Sequence, residues 1–143
     1  MSDTRAADEA AIQAVLADSY KAWEAGDAAG MVASYTADAT AIMPGSLRDS
    51  REVIRASMAL AFAGPLQGSS TWNKQLSIRF AGRDAAIVIT ESGILFPGQE
   101  EVPDAAKVNA TWVFEKRDGQ WLIAAYHNSP VHSTPAPGSP ARG

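Results

Sequence analysis

Cysteine is absent from the 143-residue chain, which removes disulfides, thiolate metal sites and a cysteine nucleophile. Basic runs are missing too. Twelve Lys and Arg stand against sixteen Asp and Glu, a formal charge of -4, so nothing forms a phosphate-binding stripe and nucleic acid is excluded as the expected partner. No apolar run approaches the ~18 residues of a membrane span. The opening MSDTRAADEA is polar and acidic where a signal peptide needs a basic start and an apolar stretch. These absences predict a cytoplasmic protein without a membrane partner. No G-x-G-x-x-G, G-x-S-x-G or metal-ligand cluster occurs, so dinucleotide, serine-triad and metal chemistry have no sequence support.

What is present is enough apolar material, 46% of the residues, for one core and too little chain for two ordinary domains. Ile12, Val15, Leu16, Tyr20 and Trp23 recur at helical spacing, predicting an amphipathic helix from Asp8 to Trp23. Gly26 stops it. Asp27 caps a second, shorter helix with Met31, Val32 and Tyr35 on one face, and Ala39 to Met43 reads as a short strand closed by Pro44-Gly45. Asp49 with Glu52 three residues on forms a capping-box pattern for a third helix ending at Gly64-Pro65.

From Ser70 the apolar period changes to two. One break at Gly82-Arg83-Asp84, a longer one at PGQEEVPDA and a strong turn at Asp118-Gly119 divide the second half into an antiparallel meander. The residues from Ser129 carry several prolines and few large apolar groups. The expected organisation is a single domain over residues 1–131 and a flexible Pro-rich tail over 132–143. The fold class is α+β, a cone-shaped, curved antiparallel sheet wrapped around three N-terminal helices and enclosing a pocket.

Parity across the Asp118-Gly119 turn sorts the last two strands. Arg117 faces Gln120, and unbroken counting pairs Phe114 with Ile123, Trp112 with Ala125 and Ala110 with His127. Trp112, Phe114, Trp121, Ile123 and His127 then share the bulkier face, assigned to the concave side. Leu122, Ala124, Tyr126, Asn128 and Asn109 share the other, whose mixed character suits a subunit interface. His127 thereby continues the core face into the cavity. Tyr20, Trp23, Tyr35, Met43 and Met58 form the opposite wall, with Trp112 on the sheet and Trp72 at a strand start near the rim.

The helical segment AIQAVLADSYKAWEAGDAAGMVASYTADATAIMPG, the capped third helix and the ending GQWLIAAYHNSPV resemble the SnoaL-like and ketosteroid-isomerase-like cone proteins related to nuclear transport factor two. Within that superfamily the chain is similar to the SgcJ/EcaC-type proteins, notably the SgcJ-type members of enediyne antibiotic clusters. The resemblance spans about Asp8 to Val131. It implies a homodimer formed through the outer sheet face, with a pocket for a small hydrophobic polyketide-type ligand and no cofactor. Activity is not implied, because this fold hosts isomerases, cyclases, dehydratases and non-catalytic binders.

His127 is the expected proton carrier, since an imidazole with an unperturbed pKa of ~6.5 accepts or donates at neutral pH. Its alternative is a histidine held by backbone or a tyrosine hydroxyl. Glu91 is a partner acid if it points inward and a solvent or interface residue if outward, because a one-residue change at the Gly82 turn reverses its parity. Asp38 reads as a turn-closing carboxylate, Arg79 as a surface or dimer residue, and Glu100, Glu101 and Asp104 as a solvated loop. Isomerisation, cyclisation or dehydration of a polyketide-derived intermediate is one expected function; sequestering it without chemistry is the other.

Overall fold

The computed structural model describes residues 2–132. Helix α1 (Ser2–Glu24) begins before the expected Asp8 and is rich in alanine, so its intrinsic propensity is high and its docking rests on few anchors. Ile12 and Leu16, one turn apart, are buried in the core. Ser19, Tyr20 and Trp23 continue that face toward the C-terminus of the helix. At its other end, Asp8 Oδ1 accepts from the Trp121 indole N–H at 3.0 Å and from Lys116 Nζ at 3.3 Å, tying the helix to the sheet.

Asp27 caps α2 (Ala28–Met31) as expected, accepting from the Gly30 N–H at 2.9 Å. The helix stops there, and Tyr35 opens strand β1 (Tyr35–Met43) instead of extending a helical face. The turn at Pro44-Gly45, where Gly45 takes φ 76°, does more than close that strand. It returns the chain into a short strand, β2 (Ser46–Arg48), that the sequence reading lacked. Helix α3 (Arg51–Phe62) is capped by Ser50, whose hydroxyl accepts from the Val53 N–H at 3.1 Å, and not by Asp49. Ile54, Met58 and Phe62 form its buried stripe.

Strands β3 (Ser70–Phe80), β4 (Ala85–Leu95), β5 (Val108–Arg117) and β6 (Gln120–Pro130) make the expected meander. The six strands run in the order β2-β1-β6-β5-β4-β3, antiparallel except that β1 joins β6 in parallel. The sheet is curved and unclosed, and the helices fill part of its hollow, so the α+β cone is the observed architecture. Asp118 and Gly119 adopt φ 52° and 77°, as a two-residue hairpin turn requires. Strand β6 runs past the expected boundary: Ser129 lies opposite Asn109 and Pro130 opposite Val108. Apart from His132, the expected tail lies outside the described residues. No helix among the described residues is long and apolar enough to cross a membrane.

Candidate functional site

The β5–β6 register follows unbroken counting only as far as Phe114 opposite Ile123. Ala124 is then an extra residue. Beyond it Val113 pairs with Ala125, Trp112 with Tyr126, Thr111 with His127 and Ala110 with Asn128. The bulge sits beside a wider irregularity in β1, where Tyr35 pairs with Ile123 and Thr40 already with Ala125, so both strands bend together. Side chains past the bulge change face. Tyr126 and Asn128 turn into the cone, and His127 is exposed on the outer side between Thr111 and Ile42. The expectation that His127 enters the cavity is overturned.

Glu91 stays outside too. Strand β4 alternates strictly here, with Ala86, Val88, Thr90 and Ser92 buried, which leaves Glu91 on the outer face between Lys74 and Asn109. Trp72 also faces outward, because its neighbours Thr71 and Asn73 line the cavity, and Lys107 Nζ lies 5.1 Å from its ring centroid. Neither belongs to the pocket. Asp38 is exposed and meets Arg117 at 3.7 Å, and Arg79 lies on the outer face opposite Ile87.

The remaining predicted residues do converge. Tyr20, Trp23, Tyr35, Met43, Met58 and Trp112 all line one cavity of about 360 Å³, at the small end of the range for ligand pockets. Phe96 and Ala106, both exposed, mark its mouth. Trp112 is the centre of the wall: its ring lies 6.1 Å from Tyr20, edge-on, and 4.5 Å from Tyr126. Its N–H donates to Thr90 Oγ1 at 3.2 Å, and Thr90 in turn meets Ser92 Oγ at 2.8 Å. The Trp23 N–H donates to Ser69 Oγ at 2.9 Å. Both indoles therefore satisfy their polar atoms within the protein and turn apolar surface to the cavity.

Polar groups that remain free are few. Burial pushes the Tyr20 and Tyr35 phenols above the ordinary range, with the nearby Tyr126 adding to both. Burial raises Tyr126 as well, while a 2.7 Å hydrogen bond from Asn128 Nδ2 to its oxygen opposes the shift. All three stay neutral donors at physiological pH. Asn128 Oδ1 is buried without a hydrogen-bond partner among the described residues. Arg48, at the end of β2, also lines the cavity, and the lining includes no Asp, Glu or His.

Tyr126, Asn128 and Arg48 are among the cavity residues that sequence reading missed. Two signals pointed to them: the small pair Ala124-Ala125, which can accommodate a bulge, and the Pro44-Gly45 turn followed by Ser46-Leu47-Arg48, which suits a hairpin.

A SnoaL-like domain model matches residues 12–133. The chain belongs to the SnoaL-like family. Solved structures share the architecture. A domain of unknown function with a cystatin-like fold from Nostoc punctiforme is 26% identical, with a TM-score of 0.81 over 89% of this chain and 79% of that one. An NTF2-like protein from Novosphingobium aromaticivorans is 16% identical, TM-score 0.79, covering 92% and 86%. An NTF2-like protein of unknown function from Shewanella oneidensis is 19% identical, TM-score 0.72, covering 85% and 98%. No curated protein matches the chain.

Proposed function

We propose that this SnoaL-like protein binds a small, largely apolar, unsaturated molecule in its cone cavity and holds it without transforming it. One observation carries the reading: the cavity walls are aromatic and thioether surfaces, and no carboxylate or imidazole is among the lining residues. Isomerisation, cyclisation or dehydration by proton transfer needs a base able to ionise near neutral pH. Phenols held above their ordinary range can donate a hydrogen bond and cannot serve as that base. His127 and Glu91, the two groups suited to acid-base work, stand on the far side of the sheet.

The family likeness and the flat aromatic walls support a polyketide-derived occupant, such as an intermediate of enediyne assembly. A second copy of the chain is the proposed macromolecular partner. The outer sheet face supports this, since Ile87, Ile89, Val113 and Leu122 cluster there and stay partly exposed in the single chain.

The test is the product profile of a reconstituted polyketide synthase and its thioesterase, run without the protein, with it, and with its His127→Ala form. Identical products in all three reactions, one of them co-eluting with the protein on gel filtration and released by Trp112→Ala, are expected. A new product that forms only with the protein would overturn the holding role.

A further inference from the structure

The cavity holds one charged side chain, Arg48. Its Nη1 lies 3.3 Å from Met58 Sδ, and among the described residues no carboxylate forms an ion pair with it. A thioether is a weak acceptor and a guanidinium carries five N–H donors, so most of this donor set is unused by the protein. Withdrawing a cation from water without a counterion is unfavourable. Burial already pulls Arg48 below the ordinary arginine range, opposed by the neighbouring Tyr35. Other cations of the chain do find carboxylates: Arg55 has Glu52, Lys107 has Asp104, Lys116 has Asp8 and Arg117 has Glu115. Lys21, Arg51, Lys74, Arg79 and Arg83 also form no ion pair among the described residues, but all five are exposed, whereas Arg48 is partly buried and lines the pocket.

The sheet register shows what flanks it. Arg48 pairs with Ala41, Ala41 with Tyr126 and Tyr126 with Trp112, a single row running across β2, β1, β6 and β5. Neighbouring strands lie ~4.8 Å apart, so the Arg48 and Tyr126 backbones are separated by about 10 Å with only a methyl group between them. Space above Ala41 is thus bounded by a guanidinium on one side and a phenol on the other. Because the Tyr126 oxygen accepts from Asn128, its own proton is free to donate inward.

We propose that the ligand of this cavity carries a carboxylate, seated over Ala41 with Arg48 as its counterion and the Tyr126 hydroxyl as a second donor. The inference rests on the binding function proposed above and specifies the chemistry of the occupant. A planar carboxylate matches one guanidinium fork, whereas a phosphate dianion entering an apolar cavity would call for more than one cation. The apolar walls then take the rest of the molecule, and the ligand is an amphipathic acid with a flat unsaturated body.

Fluorescence titration of the full chain with anthracene-2-carboxylate and with anthracene-2-carboxamide tests this, because the two probes share ring and shape and differ in charge. The carboxylate is expected to bind about tenfold or more tightly, the yield of one charge-assisted hydrogen-bonded contact. Arg48→Met should abolish that preference while leaving carboxamide affinity within about twofold, and Tyr126→Phe should weaken the carboxylate several-fold. Equal affinity of both probes for the unaltered protein overturns the carboxylate assignment and leaves the binding function standing. A preference that survives Arg48→Met also overturns it, since the charge is then recognised elsewhere. Binding of neither probe removes both proposals. The comparison of probes on the unaltered chain does not depend on whether any variant folds.

Discussion

Tyr126 stands opposite Trp112 across the last hairpin, with ring centroids 4.5 Å apart, in the place that Ala125 would hold on an unbroken strand. One additional residue, Ala124, exchanges an imidazole for a phenol at the cavity wall. It removes the chain's best proton carrier from the pocket and supplies a neutral donor in its place.

His127→Ala is therefore expected to leave affinity for either anthracene probe unchanged and to alter stability by less than ~0.5 kcal/mol, as for an exposed surface substitution. Titration and urea denaturation check this. A tenfold loss of affinity would return the imidazole to the binding machinery.

Asp8 anchors α1 to the sheet, and its titration should be visible in stability. The Trp121 N–H, followed by the Lys116 and Arg5 cations, holds its carboxyl below the usual carboxylate range against the opposing effect of burial. With the folded value below the unfolded one of ~3.9, the stabilisation is complete above about pH 4 and is lost as the pH falls through the lowered folded value. Asp8→Asn should cost about 2 kcal/mol at neutral pH, from weakened charge-assisted bonds to Trp121 and Lys116, and should flatten the acid limb. Denaturation midpoints measured down the acid range will show it; an unchanged limb would mean the anchor is not electrostatic.

Gly93 allows the loop before β5 to close against the outer sheet face. A Cβ there would lie 2.4 Å from Val102 Cγ1, and Val102 is itself buried. Gly93→Ala should destabilise the protein by ~1–3 kcal/mol through overpacking. Adding Val102→Ala should recover part of that loss in a double-mutant cycle. Strict additivity of the two effects would show that the residues do not meet.

If a second copy covers the outer face, Leu122→Glu or Ile89→Glu should shift sedimentation from dimer to monomer, because each buries a charge at an apolar contact. Probe binding should persist in the monomer. An unaltered protein that sediments as a monomer would exclude the interface.

Much of the fold was legible beforehand, for reasons that are local. The spacing of Ile12, Leu16, Tyr20 and Trp23 specifies a helical face, and Asp118-Gly119 favours one kind of turn, so the hairpin register near that turn follows by counting. The six cavity residues Tyr20, Trp23, Tyr35, Met43, Met58 and Trp112 were legible as an apolar aromatic set, and they do line one pocket. Ser50 displaced Asp49 as the cap of α3, a one-residue difference between two good capping residues that pattern alone does not separate.

What the sequence determined by itself is the class of object: helices, then an alternating meander with one core, ending in a tight hairpin and rich in rings that must be buried. Tertiary structure alone decided which polar groups reach the hollow. Facing in a strand has a period of two, so the unpaired Ala124, accommodated where β6 bends against β1, reverses every assignment downstream of it. Arg48 enters for a related reason: it shares a row with Tyr126 only because β1, with Ala41, lies between β2 and β6, two strands separated by more than seventy residues of chain, a pairing no local pattern encodes.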